Sequence, residues 1–347
     1  MHYYRYMHDF LSYDEPGLRE LLKGWGQPVY RARQICEWVW QRGASDYAEM
    51  TNLPAALRER LAAELPLQRA AATEHLESSD GARKFLLRFA DGVAVEAVGI
   101  PDTGSDHRLT VCVSSQAGCA LGCVFCATGR GGLTRNLGSG EIAEQVRIVS
   151  KDFERSATNV VVMGQGEPFA NYDAVLGALR LLNSPQLFNI GARHITISTS
   201  GIISGIERLA EEPEQFRLAV SLHAATQELR DQLMPGLRKQ PLEKLRTALV
   251  NYRERSGRRV SLEYVLLRDV NDHDSDLQAL ADFARTTGAH VNLLPYNDTE
   301  STTLQAEDTA RTREVAEFLS GAGVKATVRL SRGADIAAAC GQLANQS

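Results

Sequence analysis

Cys119, Cys123 and Cys126 stand in the spacing C-x3-C-x2-C. Three thiolates so spaced can hold three irons of a [4Fe–4S] cluster and leave the fourth open to substrate. A closed zinc site would show a second C-x2-C knuckle, and none follows. A disulfide framework does not suit a long chain whose start, Met1 to Met7, lacks the apolar core of a secretory leader. Gly118, Gly122 and the turn Phe125-Cys126-Ala127-Thr128-Gly129 further set the triplet apart from three ordinary buried thiols. Two more cysteines have chemical potential. Cys112 lies seven residues before the triplet and Cys340 near the end of the chain. Each is an inert small side chain if nothing perturbs it, and a covalent catalyst if its thiolate is favoured. Cys36, between Ile35 and Glu37, reads as structural.

Polar clusters recur further along: Met163-Gly164-Gln165-Gly166-Glu167-Pro168, Ser198-Thr199-Ser200-Gly201, Ser221-Leu222-His223 and Pro295-Tyr296-Asn297. Singly, each is an ordinary turn or cap. Glycines also let a backbone approach a ligand, and a carboxylate such as Glu167 can accept from an amino group. Each cluster follows a strand-like run. Strands are predicted at Leu109–Ser115, Asn159–Met163, His194–Thr199, Leu218–His223, Arg259–Leu266 and Val291–Leu294. Helices are predicted between them, at Glu141–Lys151, Asp173–Leu182, Leu242–Arg255, Asp276–Thr286 and Asp308–Ser320. Alternation of this kind implies an α/β fold with a parallel sheet and right-handed crossovers, curled into a partial (βα)6 barrel. Sites in such folds lie at the carboxyl ends of the strands, where all these clusters fall.

Residues 1–68 read as a helical module, with helices from Glu15 to Trp25, Tyr30 to Arg42 and Pro54 to Glu64. Its basic residues Lys23, Arg31, Arg33 and Arg42 read as a solvated face, the usual fate of such charges. Residues 69–104 read as a β-hairpin connector. Arg83–Phe89 and Val93–Val98 flank Asp91-Gly92, a hairpin turn signal. Residues 105–347 form the barrel and its tail. The chain is 44% hydrophobic and 23% charged, ordinary for a globular protein. No apolar run is long enough to span a bilayer, so no membrane partner is expected, and the six cysteines suit a reducing cytoplasm. A net charge of −5 argues against indiscriminate nucleic-acid coating but permits a local basic patch.

The triplet together with Gly164-Gln165-Gly166-Glu167-Pro168 resembles the radical S-adenosylmethionine (SAM) enzymes. The longer strings Cys112-Val113-Ser114-Ser115-Gln116-Ala117-Gly118-Cys119 and Ala338-Ala339-Cys340-Gly341-Gln342-Leu343 narrow the resemblance. They are similar to the adenine-C2 methyltransferases of 23S rRNA and tRNA, the RlmN family, and to their C8-methylating antibiotic-resistance relatives, the Cfr family. The likeness runs from Pro28 to Leu343. Gln165 stands where the family string has Met; both are unbranched, so the turn is expected to survive.

That resemblance implies a set of roles. Cys119, Cys123 and Cys126 ligate the cluster. Gly166, Glu167, Ser198, Ser221, Leu222, His223 and Asn297 hold SAM. Cys340 is methylated by one SAM; a second, cleaved to a 5′-deoxyadenosyl radical, activates that methyl group for addition to adenine. Cys112 then releases the product by forming a disulfide with Cys340, and Glu96 accepts the proton of the adduct. The chemistry agrees: C2 of adenine is electron-poor and cannot attack a sulfonium, so a cofactor-borne radical and a base are needed. The implied partners are 23S rRNA and tRNA, with Lys23, Arg31, Arg33 and Arg42 of the helical module as candidate RNA contacts, and an electron donor such as flavodoxin or ferredoxin, the enzyme acting as a monomer. The competing readings are C8 methylation, a radical SAM enzyme with a small-molecule substrate, and a non-enzymatic iron–sulfur protein. The last needs a fourth cluster ligand, and none is placed nearby in sequence.

Overall fold

A computed structural model of the 347-residue chain describes residues 9–102, 104, 108–299 and 303–344. The opening residues Met1 to Met7, read above for a leader, lie outside the described residues.

The helical module comprises α1 (Glu15–Gly24), α2 (Tyr30–Cys36) and α3 (Ala55–Glu64). The Asp14 carboxylate caps α1 by accepting from the Gly17 amide at 2.8 Å. The predicted long second helix widens into a π-type turn over Glu37–Gln41. Trp40 is buried there against Phe10 and Phe188. The candidate RNA-contacting cations have local partners. Arg33 pairs with Glu37 at 2.9 Å and Lys23 with Glu20 at 3.7 Å. Arg31 donates to the Asn52 carbonyl, and Arg42 lies over the Trp38 ring. Exposed pairs of this kind are worth under about 1 kcal/mol and can be exchanged for phosphates.

Next comes a three-stranded antiparallel meander, β1 (Ala71–Glu77), β2 (Arg83–Arg88) and β3 (Ala94–Pro101). The predicted hairpin is β2–β3, with Gly92 at φ +85° in its turn. The connector therefore holds one strand more than expected. β1 is exposed along its whole length and carries no hydrophobic pattern, so pairing with β2 alone defines it.

The meander is continuous with the barrel sheet: β3 pairs antiparallel with β4 (Leu109–Cys112), opposing Val98 to Cys112. Six further strands run parallel to β4, in the order β7 (Asn159–Val162), β8 (Ile195–Thr199), β9 (Arg217–Ser221), β10 (Ser261–Leu266), β11 (His290–Pro295) and β12 (Ala326–Val328). The first six of these seven are those the sequence predicts; β12, three residues long, is added. A separate two-stranded ribbon, β5 (Gln116–Gly118) with β6 (Leu133–Asn136), brackets the cysteine loop. The crossover helices are α4 (Ser139–Asp152), α5 (Tyr172–Asn183), α6 (Ile203–Glu211), α7 (Gln227–Leu233), α8 (Leu242–Ser256), α9 (Asp274–Thr287) and α10 (Thr309–Gly321). Leu, Ile and Val from these helices, α7 excepted, and from the outer face of the sheet form one core that also takes in α1 to α3. Among the described residues no helix is long and apolar enough to cross a membrane.

Candidate active site

Inside the sheet lies a cavity of about 950 Å3. Its wall includes Cys119, Cys123, Cys126, Cys112 and Cys340, together with Gly166, Glu167, Ser198, Ser221, His223 and Asn297. Residues far apart in sequence meet here because successive parallel strands end side by side.

Backbone contacts shape the cysteine loop. The Cys119 amide donates to the Gly132 carbonyl at 2.9 Å, and the Gly236 amide to the Leu121 carbonyl at 2.9 Å. Gly118 has φ +77°, and a Cβ there would meet the Gly132 oxygen at 2.0 Å, so only glycine fits. Phe125 stands edge-on to His223, centroids 4.7 Å apart. Burial pushes the Cys119 thiol up to about 11. Burial first, then the charges of Cys126 and Cys119, push Cys123 up as well. Clustered thiols so placed stay protonated at neutral pH unless a metal takes up their charge. Among the described residues no three His, Cys, Asp or Glu side chains converge on one metal ion. Three thiols of one loop that face one cavity suit a cluster, in which each binds a different iron.

The turn after β7 is fixed from both sides. The Ser115 and Gln116 amides donate to the Gln165 carbonyl at 2.8 and 3.2 Å. Gly166 has φ +96°, and a Cβ there would lie 2.5 Å from that of Gln116. The Glu167 carboxylate accepts from Thr199 Oγ1 at 2.7 Å, the Phe169 amide at 2.9 Å and the Ser200 amide at 2.7 Å. Burial raises its pKa, and these donors partly offset that. His223 adopts a left-handed φ of +54°. Its Nδ1 accepts from the Val265 amide at 3.1 Å, which puts the proton of the neutral ring on Nε2. Burial, then the Arg230 charge, lower His223 to about 3, so it is neutral at physiological pH.

The tail brings Cys340 to the same cavity. The Gly341 carbonyl accepts from the Ala127 amide at 2.7 Å, and the Leu343 carbonyl from Thr128 Oγ1 at 2.6 Å. Cys340 is exposed, and its exposure is to the cavity. Protein still surrounds the thiol, and burial pushes it up to about 11, with Glu263 and then Cys126 adding to the rise. Burial, then Cys340 itself, push the Cys112 thiol up to about 12. Cys112, Val98, Ala338 and Leu343 pack as one apolar cluster. All six cysteines are free thiols.

Three expected site residues sit differently from their neighbours. Glu96 is the third residue of β3, not its end, and its carboxylate lies under the tail, outside the cavity wall. It pairs with Lys84 Nζ at 3.1 Å and accepts from the Ala344 amide at 2.7 Å. Leu222 turns its side chain into the core, while its amide donates to Glu263 and its carbonyl accepts from Arg230. Asn297 reaches the cavity, but its amide serves the tail, donating to the Cys340 carbonyl at 3.2 Å and accepting from Ser331 at 2.6 Å. Gln165 keeps the turn as expected and faces away from the cavity; its Oε1 accepts from the Glu96 amide at 3.3 Å.

The sequence reading passed over several groups. Glu263 and Asn292 are buried in the cavity wall and bonded at 2.8 Å. Their one sequence signal was inward alternation on β10 and β11. Arg230 is buried, donates to the carbonyls of Ser200 and Leu222, and is lowered to about 10 by burial.

Residues 113–284 match the radical SAM superfamily, and residues 8–66 match the ribosomal RNA large subunit methyltransferase N-terminal domain. A protein of Symbiobacterium thermophilum, named as a probable dual-specificity RNA methyltransferase RlmN, is 44% identical over 95% of this chain and 89% of its own length. One of Gemmatimonas aurantiaca with the same name is 46% identical, over 96% of this chain and 92% of its own. The chain belongs to the RlmN family. The crystal structure of a radical SAM methyltransferase from Sphaerobacter thermophilus is 44% identical, covers 96% of this chain and 98% of its own, and superposes with a TM-score of 0.88. The hydrogenase maturase HydG, at 12% identity and a TM-score of 0.50, shares the fold alone. As an RlmN-family enzyme this protein is a radical SAM RNA methyltransferase that uses a [4Fe–4S] cluster and SAM. The site fits both: three thiols of one loop face the cavity, and glycine turns and polar strand ends line the rest of it.

Proposed function

We propose that this enzyme methylates C2 of an adenosine in 23S rRNA, and of the adenosine next to the anticodon in tRNA, with Cys340 as the methyl carrier. The observation that carries this reading is a tail cysteine facing the same cavity as the cluster cysteines and Cys112. A small-molecule radical SAM enzyme has no use for such a residue. In this reading Cys119, Cys123 and Cys126 hold the cluster, and Gly166, Glu167, Ser198, Ser221 and His223 hold SAM, with Leu222 and Asn297 shaping that site through the core and the tail. When bound, these groups supply a methyl group and, from a second SAM, a 5′-deoxyadenosyl radical. Cys340 keeps the methyl carbon on its sulfur, so one hard transfer becomes two easier ones. Cys112, as its thiolate, attacks the Cys340 sulfur; an S–S bond forms as the S–C bond to the adduct breaks, the electron pair leaves on the adduct carbon, and a proton taken up there completes the methyl group. Glu96 takes the C2 proton once the end of the tail lifts from its carboxylate. Residues 1–68 serve as the RNA-contacting module, 69–104 as the connector and 105–347 as the catalytic barrel. The target base must be splayed out of its stack to enter the cavity. We infer that flavodoxin or ferredoxin donates electrons and that the enzyme works as a monomer.

The test is mass spectrometry of rRNA and tRNA from cells with and without the gene. C2-methyladenosine should vanish without it, and a C8-methyl product would overturn the regiochemistry. Supplying Cys112→Ala should trap a covalent protein–RNA adduct, whereas Cys340→Ala should give neither adduct nor product. Normal turnover by either variant would refute the assigned roles.

A further inference from the structure

The edges of the ten-stranded sheet are β1 and β12. The chain leaving β12 adds no strand to β1. It docks on the turn between β1 and β2 instead, through side chains. Asp80 in that turn accepts at Oδ2 from Arg332 Nε and from the Gly333 amide, both at 2.9 Å. Its Oδ1 accepts from the Ala82 amide at 2.9 Å, and its carbonyl accepts from Arg332 Nη2 at 2.6 Å. Asp335 returns the contact, accepting from Ser78 Oγ at 2.5 Å and the Ser79 amide at 3.0 Å. Gly333 has φ +68°, and a Cβ there would lie 2.9 Å from that of Ala338, so the tail folds tightly back on itself. Lys84 Nζ then donates to the Ala337 carbonyl at 3.2 Å. Only Ile336–Ala339 separate Asp335 from Cys340.

We propose that Asp80 is a positioning residue for the Cys340 thiol: it anchors the tail in the register that turns Cys340 into the cavity toward Cys112 and the cluster loop. The proposal rests on the reading of Cys340 as methyl carrier. Loading forms an S–CH3 bond at Cys340 and breaks one at the sulfonium of SAM, releasing S-adenosylhomocysteine and the thiol proton. Such a displacement needs sulfur and carbon about 3–3.5 Å apart and in line. Beyond Arg332 the described tail has one short turn, Ala334–Ile336, and no strand or helix to set that distance. Charge-assisted bonds at its root fix where it starts, and the bonds of Ala127, Thr128 and Asn297 to the Gly341, Leu343 and Cys340 carbonyls hold its far end. Burial works to raise the Asp80 pKa, yet the Ala82 and Gly333 amides and Arg332 outweigh it and hold the carboxyl below its usual range. The anchor is therefore fully ionised at neutral pH.

Asp80→Ala and the milder Asp335→Ala test this in the full-length, cluster-loaded enzyme. Asp152→Ala, which removes one of the two carboxylates paired with Arg83 and does not touch the tail, is the control. Two quantities are read: the rate of methyl loading on the tail peptide as SAM is varied, and amide hydrogen exchange over 333–344 without SAM. Asp80→Ala should lower the maximal loading rate about ten- to hundredfold. It should leave the KM for SAM, the cluster absorption and the exchange of α4 and α8 unchanged, while tail amides exchange faster. Asp80→Asn, which still accepts from amides, should fall between. Unchanged tail protection in Asp80→Ala would show that Asp80 does not hold the tail. Lost protection with normal loading would show that tail order is not needed. Should Asp80→Ala fail to fold, Asp335→Ala decides alone, and no change in either readout there overturns the proposal. If wild-type Cys340 is never methylated, the carrier reading fails, and the exchange arm still decides whether Asp80 holds the tail.

Discussion

The barrel mouth and the tail–meander contact are built by opposite means. At the mouth, main-chain bonds between neighbouring strand ends set the geometry: Gly164 donates to Val113, Gln116 to Gln165 and Leu222 to Glu263. Glycines with positive φ then bring backbones closer than any side chain would allow. Beneath the tail, side chains hold partners more than two hundred residues away in sequence: Asp80 holds Arg332, Ser78 holds Asp335, and Glu96 holds the Ala344 amide. A ladder of main-chain bonds opens only with the fold. A handful of side-chain bonds can let go singly, which suits the roles proposed for the tail: carrying a methyl group, meeting RNA and uncovering Glu96.

That contrast predicts its largest effect at the mouth. Replacing Cys119, Cys123 or Cys126 with Ala should abolish cluster absorption and SAM cleavage outright, where the reconstituted wild type binds about four irons. The fold should survive, because Gly132, Leu233 and Gly236 hold the loop through its backbone. Iron analysis, absorption and circular dichroism check this together. A full cluster in any of the three variants would refute the ligand assignment, and an unfolded variant would show that the loop depends on its thiols.

The two regions also differ in how far the sequence reveals them. The mouth was legible because its determinants are local. Cysteine spacing, glycine turns and alternating strands are short patterns, and parallel strands fix where their ends meet. The tail anchor was hidden because its determinants are remote. Asp80-Gly81 is the same turn dipeptide as Asp91-Gly92, with Gly81 at φ +84°, so the β1–β2 turn carried a signal. β1 beside it is exposed throughout, and nothing apolar drew attention to it. Nothing local to Arg332 or Asp335 signals this contact, which exists only because the chain beyond β12 crosses onto the meander. β12 went unread for a related reason: three mostly exposed residues carry no period. Glu96 was picked out by the family likeness, but its burial under Ala344 follows from tertiary packing alone.

Glu96 gives the middle-sized effect and tests the tail region directly. If it removes the adduct proton, Glu96→Gln should keep SAM binding and RNA affinity and lose about 10²- to 10⁴-fold in single-turnover product formation. The change also strips Lys84, itself buried, of its charge partner, so some stability should go with it. Lys84→Met is the right comparison, because it breaks the same pair and keeps the carboxylate. A base predicts that Glu96→Gln is far slower than Lys84→Met at equal folded fraction. Equal losses would reduce Glu96 to half of a structural ion pair.

Gln165 offers the smallest effect and the sharpest test of whether the two regions are separate. It lies in the glycine turn of the mouth, yet its side chain leaves that region and accepts from the Glu96 amide at 3.3 Å. Ser114 closes the loop, donating to the Glu96 carbonyl at 2.6 Å and accepting from the Gln165 amide at 2.9 Å. β3 is thus tied to the glycine turn after β7 just before its pairing with β4 begins at Val98. Gln165→Met, which restores the usual family residue, removes one of these ties and keeps the length of the side chain. One neutral hydrogen bond is worth about 1 kcal/mol. Thermal or denaturant stability should therefore fall by about that much, and turnover on RNA by less than about tenfold. The Glu96 carboxylate should still be held by Lys84 and Ala344. A loss approaching that of Glu96→Gln, with unchanged stability and unchanged KM for SAM, would mean that the mouth sets the position of the base through Gln165, and the division between the two regions would fail at that residue.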